Sequence, residues 1–382
     1  MKVTELFTED EFTKMEKGGY VRKQVHPTQP LTILNYTDKA QFDQVWNSVT
    51  TTCRGLIVAT ETQEVVARAL TKFFNYDHKE TPTIDLSEPV VAMDKADGSL
   101  GILYRYTEGD DSWDYAIATR GSFTSEQAIH ATELLNTKYA KWLQSESHKL
   151  EGKTPLFEIV YPENRVVLDY NGLDDLILLG MIDIETGKAY TSGEAGDFLN
   201  WPGFRVEEFP FRTFGEAIAA EPRDNAEGFV VYLPERNIHV KIKQADYLAL
   251  HRIITGLSAR SVWKHMSEGK TLTKLIEGMP DEFHEWTKGV WEELEDKVRE
   301  QDLEISGQYD KNFREVLDKM GGADSRSPEF RKQFALHIKG KPLSGYFFLK
   351  LGDRPYHKNI LAKLKPVANV TPHGKTFSED NF

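Results

Sequence analysis

The chain has 382 residues, 40% of them hydrophobic, enough for two domains or one large one with a sizeable core. A formal net charge of −13 argues against indiscriminate nucleic-acid binding while leaving room for a local basic cleft, and the single cysteine, Cys53, excludes an intrachain disulfide or a cysteine-based zinc cluster. No apolar run approaches the roughly 20 residues a membrane helix needs, and the polar start MKVTELFTEDEF is unlike a secretory signal, so a cytoplasmic protein with no membrane partner is expected.

In chain order, short apolar, β-branched segments bounded by turn residues read as strands: Leu31–Tyr36, Gly55–Thr60, Glu64–Leu70, Pro89–Asp94, Ser99–Tyr106, Asp114–Thr119, Pro155–Tyr161, Leu176–Asp183, Gly228–Leu233 and His239–Lys243. Among them Ser125–Leu143 reads as a helix, capped by Ser125, with Ala128, Ala131, Leu134 and Leu135 at helical spacing. The fold class is therefore α+β rather than doubly wound. After Lys243 the pattern changes. Tyr247–Ile254 looks helical, and Trp286, Val290, Leu294 and Val298 recur every four residues in a charged segment. This divides the chain into a sheet-rich domain over 1–249, including an N-terminal arm, and an all-helical domain over 250–382. Gly321-Gly322 interrupts the latter, and VTPHGKTFSEDNF reads as a frayed tail.

The chemistry-bearing residues fall beside predicted strands. Lys95-Ala96-Asp97-Gly98 follows one strand end; Phe157-Glu158-Ile159, Glu227-Gly228-Phe229-Val230 and Lys241-Ile242-Lys243 follow in order. Lys-x-Asp-Gly alone is a weak pattern, but four such motifs in sequence are specific. The series resembles the covalent nucleotidyltransferase superfamily of ATP-dependent DNA ligases, RNA ligases and mRNA capping enzymes. Cys53-Arg54-Gly55, Lys72-Phe73-Phe74-Asn75, Ser99, Arg120-Gly121-Ser122, the run FEIVYPENRVVLDY and KIKQADYLALH narrow the likeness to the RNA ligase 1 family of the T-even phage type, over about Leu31 to His251.

That resemblance implies a nucleotidyltransferase domain built on antiparallel sheets, ATP and Mg²⁺ (or Mn²⁺) as cofactors, and AMP held covalently on Lys95. It implies RNA with 5′-phosphate and 3′-hydroxyl ends as partner and a role in RNA or tRNA repair, either with or without a separate end-healing kinase/phosphatase; a monomer is expected. A viral protein would work in its host's cytoplasm. By the same resemblance Glu158 contacts the ribose hydroxyls, Glu227 holds the metal directly or through water, Arg54 and Lys72 grip phosphates, and Arg120 lies near the site. The helical domain stands where the family carries RNA specificity.

Attack on a phosphate needs a neutral amine, whereas free lysine has a pKa of about 10.4. Arg54, Lys72, Lys241, Lys243 and a bound Mg²⁺ are expected to lower it at Lys95. Lys241 and Lys243, two apart on a strand, share a face and can meet one phosphate together. Phe157 and Ile159 pointing into the core would turn Glu158 to the other face. Gly98 and Gly228 permit close backbone approach. Asp97 either orients the reacting hydroxyl or orders the loop.

Other residues carry plainer readings. Phe73, Phe74 and Tyr76 can stack on a base but fit core packing better, and Tyr247 with His251 fits a buried structural pair. Glu163-Asn164-Arg165 either receives the RNA end or forms a turn. His239, His251, His265 and His284 lack zinc spacing. Lys332, Lys339, Lys341, Lys350, Lys358, Lys363 and Lys365, interleaved with Phe334, Tyr346, Phe347 and Tyr356, make either an RNA-binding surface or a solvated helical face over an apolar core. Two rival classes remain. An ATP-dependent DNA ligase or capping enzyme would carry a strand-rich barrel after Lys243, and a noncatalytic nucleotide sensor or RNA-binding protein on the same scaffold would be expected to have lost motif side chains.

Overall fold

Short segments that alternate or run apolar produce three antiparallel sheets in the computed structural model. It describes all residues except 108–112, 165–166, 246, 248–255, 278, 280–282, 323, 368–369, 371 and 373–382. The first sheet holds β1 (Val21–Val25), β2 (Leu31–Tyr36), β3 (Arg54–Ala59) and β4 (Val65–Ala67) in that order. The second contains β6 (Ser99–Thr107), β7 (Trp113–Thr119), β8 (Lys153–Val160), β9 (Asp175–Asp183) and β10 (Ala189–Tyr190), ordered β10-β9-β8-β6-β7. In the third, β5 (Val91–Asp94), β11 (Glu208–Phe209), β12 (Gly228–Leu233) and β13 (Ile238–Lys243) run β11-β5-β12-β13. Each strand expected from sequence is present. The short edge strands β1, β10 and β11 are additional.

The sheets share one core, where Ile33 and Ile57 of the first meet Ile102 and Leu156 of the second and Met93 and Tyr232 of the third. The far face of the second sheet is covered by helices Glu126–Thr137, Ala140–Glu146 and Ser192–Leu199. Ser125 caps the first of these by accepting from the Ala128 N–H at 3.2 Å, but the expected single helix is broken at Lys138 and Tyr139. There the Tyr139 hydroxyl turns to the buried carboxylate of Asp175, which also holds Lys138 at 2.7 Å.

The chain divides into two units, Met1–Thr255 and Gly256–Phe382. The second is helical: Ala259–Ser267, Leu272–Ile276, His284–Lys319, Pro328–Ile338, Ser344–Leu351 and His357–Lys363. Of the expected stripe Trp286, Val290, Leu294, Val298, Leu294 is buried and Val298 packs against the core, whereas Trp286 and Val290 are only half-buried. A spacing of four drifts around a 3.6-residue helix, and the buried face instead follows His284, Thr287, Trp291 and Leu294. The long helix ends before Gly321 and Gly322, as expected from sequence. Phe334, Tyr346, Phe347 and Tyr356 are buried together, so these aromatics are core residues and present no stacking surface for RNA. Apart from Tyr247, the predicted helix Tyr247–Ile254 lies outside the described residues, as do His251, Arg165 and nearly all of the tail. Among the described residues no helix is long and apolar enough to cross a membrane.

Candidate active site

The third sheet brings three motifs to one end. Asp94 pairs with Phe229, and Gly228 pairs with Lys243, so Lys95, Glu227 and Lys243 emerge side by side. The Lys95 N–H donates to the Gly228 carbonyl at 3.1 Å. Its Nζ reaches Glu227 Oε2 at 2.8 Å, while Lys243 Nζ takes Glu227 Oε1 at 3.4 Å. Gly228 has φ +141°, and a Cβ there would lie 2.0 Å from the Ile242 carbonyl oxygen, so only glycine fits.

The second sheet contributes the opposing carboxylate. Phe157 and Ile159 are fully buried on the helix-covered face, which turns Glu158 toward the core shared by the sheets. Glu158 Oε1 accepts the Gly98 N–H at 2.8 Å. A Cβ on Gly98 would come within 2.6 Å of the Ile159 carbonyl oxygen, so the glycine permits this approach.

Asp97 is committed to the backbone. Its Oδ2 accepts N–H groups from Val167 (2.9 Å) and Leu168 (3.1 Å), and its Oδ1 accepts the Tyr247 hydroxyl at 3.3 Å. The Tyr170 hydroxyl accepts the Asp97 N–H at 2.7 Å. Of the two roles open to Asp97, this geometry supports ordering the loop. Glu163 and Asn164 form a turn, with Asn164 donating to the Ile159 carbonyl at 2.9 Å and to Ser99 Oγ at 3.1 Å.

The remaining cations gather around Tyr36 and Phe73. Arg120 donates to the Tyr36 hydroxyl at 2.6 Å, and Arg54 also hydrogen-bonds Tyr36. Lys72, buried, lies 5.7, 5.2 and 5.3 Å from the ring centroids of Tyr36, Trp46 and Phe74. Arg54 and Lys241 lie 5.6 and 5.4 Å from the Phe73 ring, and His239 is 5.7 Å from it. Phe73 is therefore a half-buried platform for cations rather than a core residue, and only Phe74 meets the core expectation. A cavity of about 280 Å³ opens beside Lys72, Phe73, Phe74 and His239. Lys241 and Lys243 do share a face, since Val240 and Ile242 fill the core, yet each already has its own neighbours.

The electrostatics reverse one expectation. Burial pulls the Lys95 ammonium down, but Glu227, Glu158 and Asp97 outweigh it and hold the pKa above the ordinary lysine value. The largest charges acting on the nitrogen are carboxylates; Arg54, Lys72 and Lys241 lie around Tyr36 and Phe73, and Lys243 shares the Glu227 carboxylate with Lys95. Lys95 is an ion-paired ammonium. Burial pushes Glu158 up to about 8, against the pull of Lys95. His239 is lowered to about 3 by burial and then by Arg54. Buried Cys53 has its thiol pushed up by burial, consistent with packing.

Among the described residues no group of three or more His, Cys, Asp or Glu side chains is arranged to hold a metal. The hard oxygens of Glu227 fit a Mg²⁺ that arrives with phosphates and keeps its waters, which needs only one or two protein carboxylates. Tyr36 and Trp46 stand in no motif, and although Tyr170 closes the run FEIVYPENRVVLDY, nothing local marks its contact with Asp97.

A family model described as RNA ligase matches residues 52–248, just over half of the chain. The chain belongs to the RNA ligase 1 family. It is 32% identical over 212 residues to a provisionally named RNA ligase of Thermovibrio ammonificans, covering 53% of this chain and 54% of that protein. It is 27% identical over 279 residues to a provisionally named bifunctional polynucleotide kinase/RNA ligase of Autographa californica nuclear polyhedrosis virus, covering 66% of this chain and 37% of that one. The chain thus spans about half or less of the length of these curated relatives. Among solved structures, an archaeal ATP-dependent RNA ligase superposes with a TM-score of 0.47 at 16% identity, over 74% of this chain and 70% of the other. A Naegleria gruberi RNA ligase with pyrophosphate gives 0.34 at 18% identity, over 44% and 52%.

Proposed function

We propose that this protein is an ATP-dependent RNA ligase whose nucleophile is Lys95. The observation that carries the reading is the convergence of Lys95, Glu227 and Lys243 at one sheet end, opposite Glu158, in a chain of this family. In the first step the Lys95 Nζ lone pair attacks the α-phosphorus of ATP, the bond to the β-phosphate oxygen breaks, pyrophosphate leaves, and the amine proton passes to solvent. In the second, an oxygen of an RNA 5′-phosphate attacks the same phosphorus, the P–N bond breaks and Lys95 regains a proton. In the third, an RNA 3′-hydroxyl oxygen attacks the 5′-phosphorus, the bond from that phosphorus to the bridging oxygen breaks, AMP departs, the hydroxyl proton passes to solvent and a phosphodiester remains.

Lys95 rests as an ammonium beside Glu227, so its proton must be lost on the way to attack. A divalent cation accompanying ATP, held by Glu227 directly or through water, would supply positive charge to the phosphates. Arg54, Lys72, Arg120, Lys241 and Lys243 supply fixed positive charge for the triphosphate. Glu158, on the inner face of the second sheet, is suited to accept hydrogen bonds from ribose hydroxyls. The helical unit is assigned to RNA selection, and the kinase/ligase name of the viral relative supports a repair setting in which ends are healed before sealing.

Incubation with α-labelled ATP and Mg²⁺ tests the reading. Wild type should become labelled, and both Lys95→Ala and Lys95→Arg should not. Labelled Lys95→Ala protein would sink the assignment. Sealing of single-stranded RNA but not nicked DNA separates this activity from that of a DNA ligase.

A further inference from the structure

We propose that Arg223 is a positioning residue for the Lys95 nucleophile, clamping the strand end that carries it to the strand that begins after Glu227. The inference rests on the reading of Lys95 above. Arg223 lies in the loop before β12, outside the recognised motifs. Its Nη2 donates to Asp94 Oδ1 at 2.7 Å and to the Gly228 carbonyl at 2.9 Å. Asp94 directly precedes Lys95, and the Gly228 carbonyl is the group that accepts the Lys95 N–H at 3.1 Å. One guanidinium therefore grips both sides of the junction where nucleophile and Glu227 meet.

Three further contacts fix the grip. The guanidinium carbon sits 4.4 Å from the Phe209 centroid and 4.5 Å from that of Phe229. The Arg223 N–H donates to Gln244 Oε1 at 3.2 Å, and the Gln244 N–H donates to the Glu227 carbonyl at 2.9 Å. Two residues on, Asn225 exchanges hydrogen bonds with the Asp169 backbone at 2.9 and 2.8 Å, in the loop whose Val167 and Leu168 hang from Asp97. The buried Arg223 Nε has no hydrogen-bond partner among the described residues. The pose is thus set by the fork of Nη2 contacts and the two rings, not by saturation of every donor.

A surface staple would explain the same contacts if only stability were at stake. The Arg223–Asp94 pair, however, is about a quarter to a third exposed (27% and 34%), a setting in which an ion pair adds little to global stability. Its effect should therefore appear in the geometry of the reacting groups. A nucleophile displaced by about 1 Å loses on the order of 10²-fold in rate. Lysine substitutes incompletely: its ammonium can donate to two acceptors, as Arg223 Nη2 does, but it lacks the flat guanidinium that packs against the Phe209 and Phe229 rings.

The test is single-turnover labelling by α-labelled ATP at varied ATP concentration. Arg223→Ala should lower the maximal rate of lysine adenylylation by on the order of 10²-fold with the apparent ATP KM changed less than about threefold. Added guanidinium ion at millimolar concentration should restore part of the rate. Arg223→Lys should fall between, and Asp94→Ala, which removes one of the two acceptors of Nη2, should also lower the maximal rate with the apparent ATP KM changed less than about threefold. A raised KM at unchanged rate would overturn the proposal by making Arg223 an ATP contact. A rate within threefold of wild type, or a loss matched by unfolding and not rescued by guanidinium, would also overturn it. Should Arg223→Ala fail to fold, Arg223→Gln carries the same comparison. Absence of label on wild type would instead defeat the ligase reading itself.

Discussion

Replacing Asp97 separates ordering of the loop from participation in chemistry. The Val167 and Leu168 N–H groups that Asp97 Oδ2 accepts belong to residues only 2% and 5% exposed, so water does not readily take its place. Leaving a buried donor unpaired costs about 1–3 kcal/mol, so Asp97→Ala should lower the free energy of opening the 167–170 loop by about 2–6 kcal/mol. At about 1.4 kcal/mol per decade, amide exchange at Val167 and Leu168 should quicken by roughly 30- to 10⁴-fold. Asp97→Asn keeps one carbonyl oxygen for those two donors, and the Tyr247 hydroxyl can rotate to accept from the new amide. That variant should lose only about 1 kcal/mol, chiefly the charge assistance. Hydrogen exchange with mass spectrometry reads the loop, and α-labelled ATP reads the chemistry. Both should fail together in Asp97→Ala and survive together in Asp97→Asn. An Asp97→Asn protein with protected amides and no label would refute the loop role and return Asp97 to the reaction.

Gly228→Ala, with a Cβ clash at 2.0 Å against the Ile242 carbonyl oxygen and φ of +141°, should lower stability by about 2–4 kcal/mol in urea titration and abolish labelling. Tyr36→Phe removes the hydroxyl shared by Arg54 and Arg120 and should raise the apparent ATP KM by roughly 5- to 10-fold, with the melting temperature shifted by only a few degrees, as expected for loss of about 1 kcal/mol of hydrogen bonding. His239 has its pKa lowered from 6.5 to about 3, so the unfolded chain binds the extra proton first; this contribution is complete above pH 6.5 and drains away as pH falls toward 3. Wild type should therefore lose about 1–2 kcal/mol between pH 7 and 5 that His239→Phe, set against the Phe73 and Tyr232 rings, does not lose, as measured by denaturant titration.

The strands were legible because each of the ten segments alternates or runs apolar between turn residues. β1 was not, because Val-Arg-Lys-Gln-Val has charged residues facing outward at a sheet edge, and β10 and β11 are only two residues long. In the long helix, Trp286 and Val290 misled because a fixed spacing of four cannot hold one face. Of the site, Lys95 and Glu227 are marked by the motif series and the family it resembles, while strand period gives the face of Glu158 and the shared face of Lys241 and Lys243. The sign of the field at Lys95 could not be read this way, because it depends on which charges the three sheets bring within contact. Tyr36 and Arg223 act through partners 84 and 129 residues away, a separation no local pattern reports.

Lys95 rides on the third sheet, Glu158 on the second and Arg54 on the first. Warming that loosens the apolar seam between these layers would part the reactive groups while each layer kept its own ladder of hydrogen bonds. Catalysis should therefore fade below the temperature at which circular dichroism records melting, and a bound nucleotide, lacing the layers together, should narrow that gap.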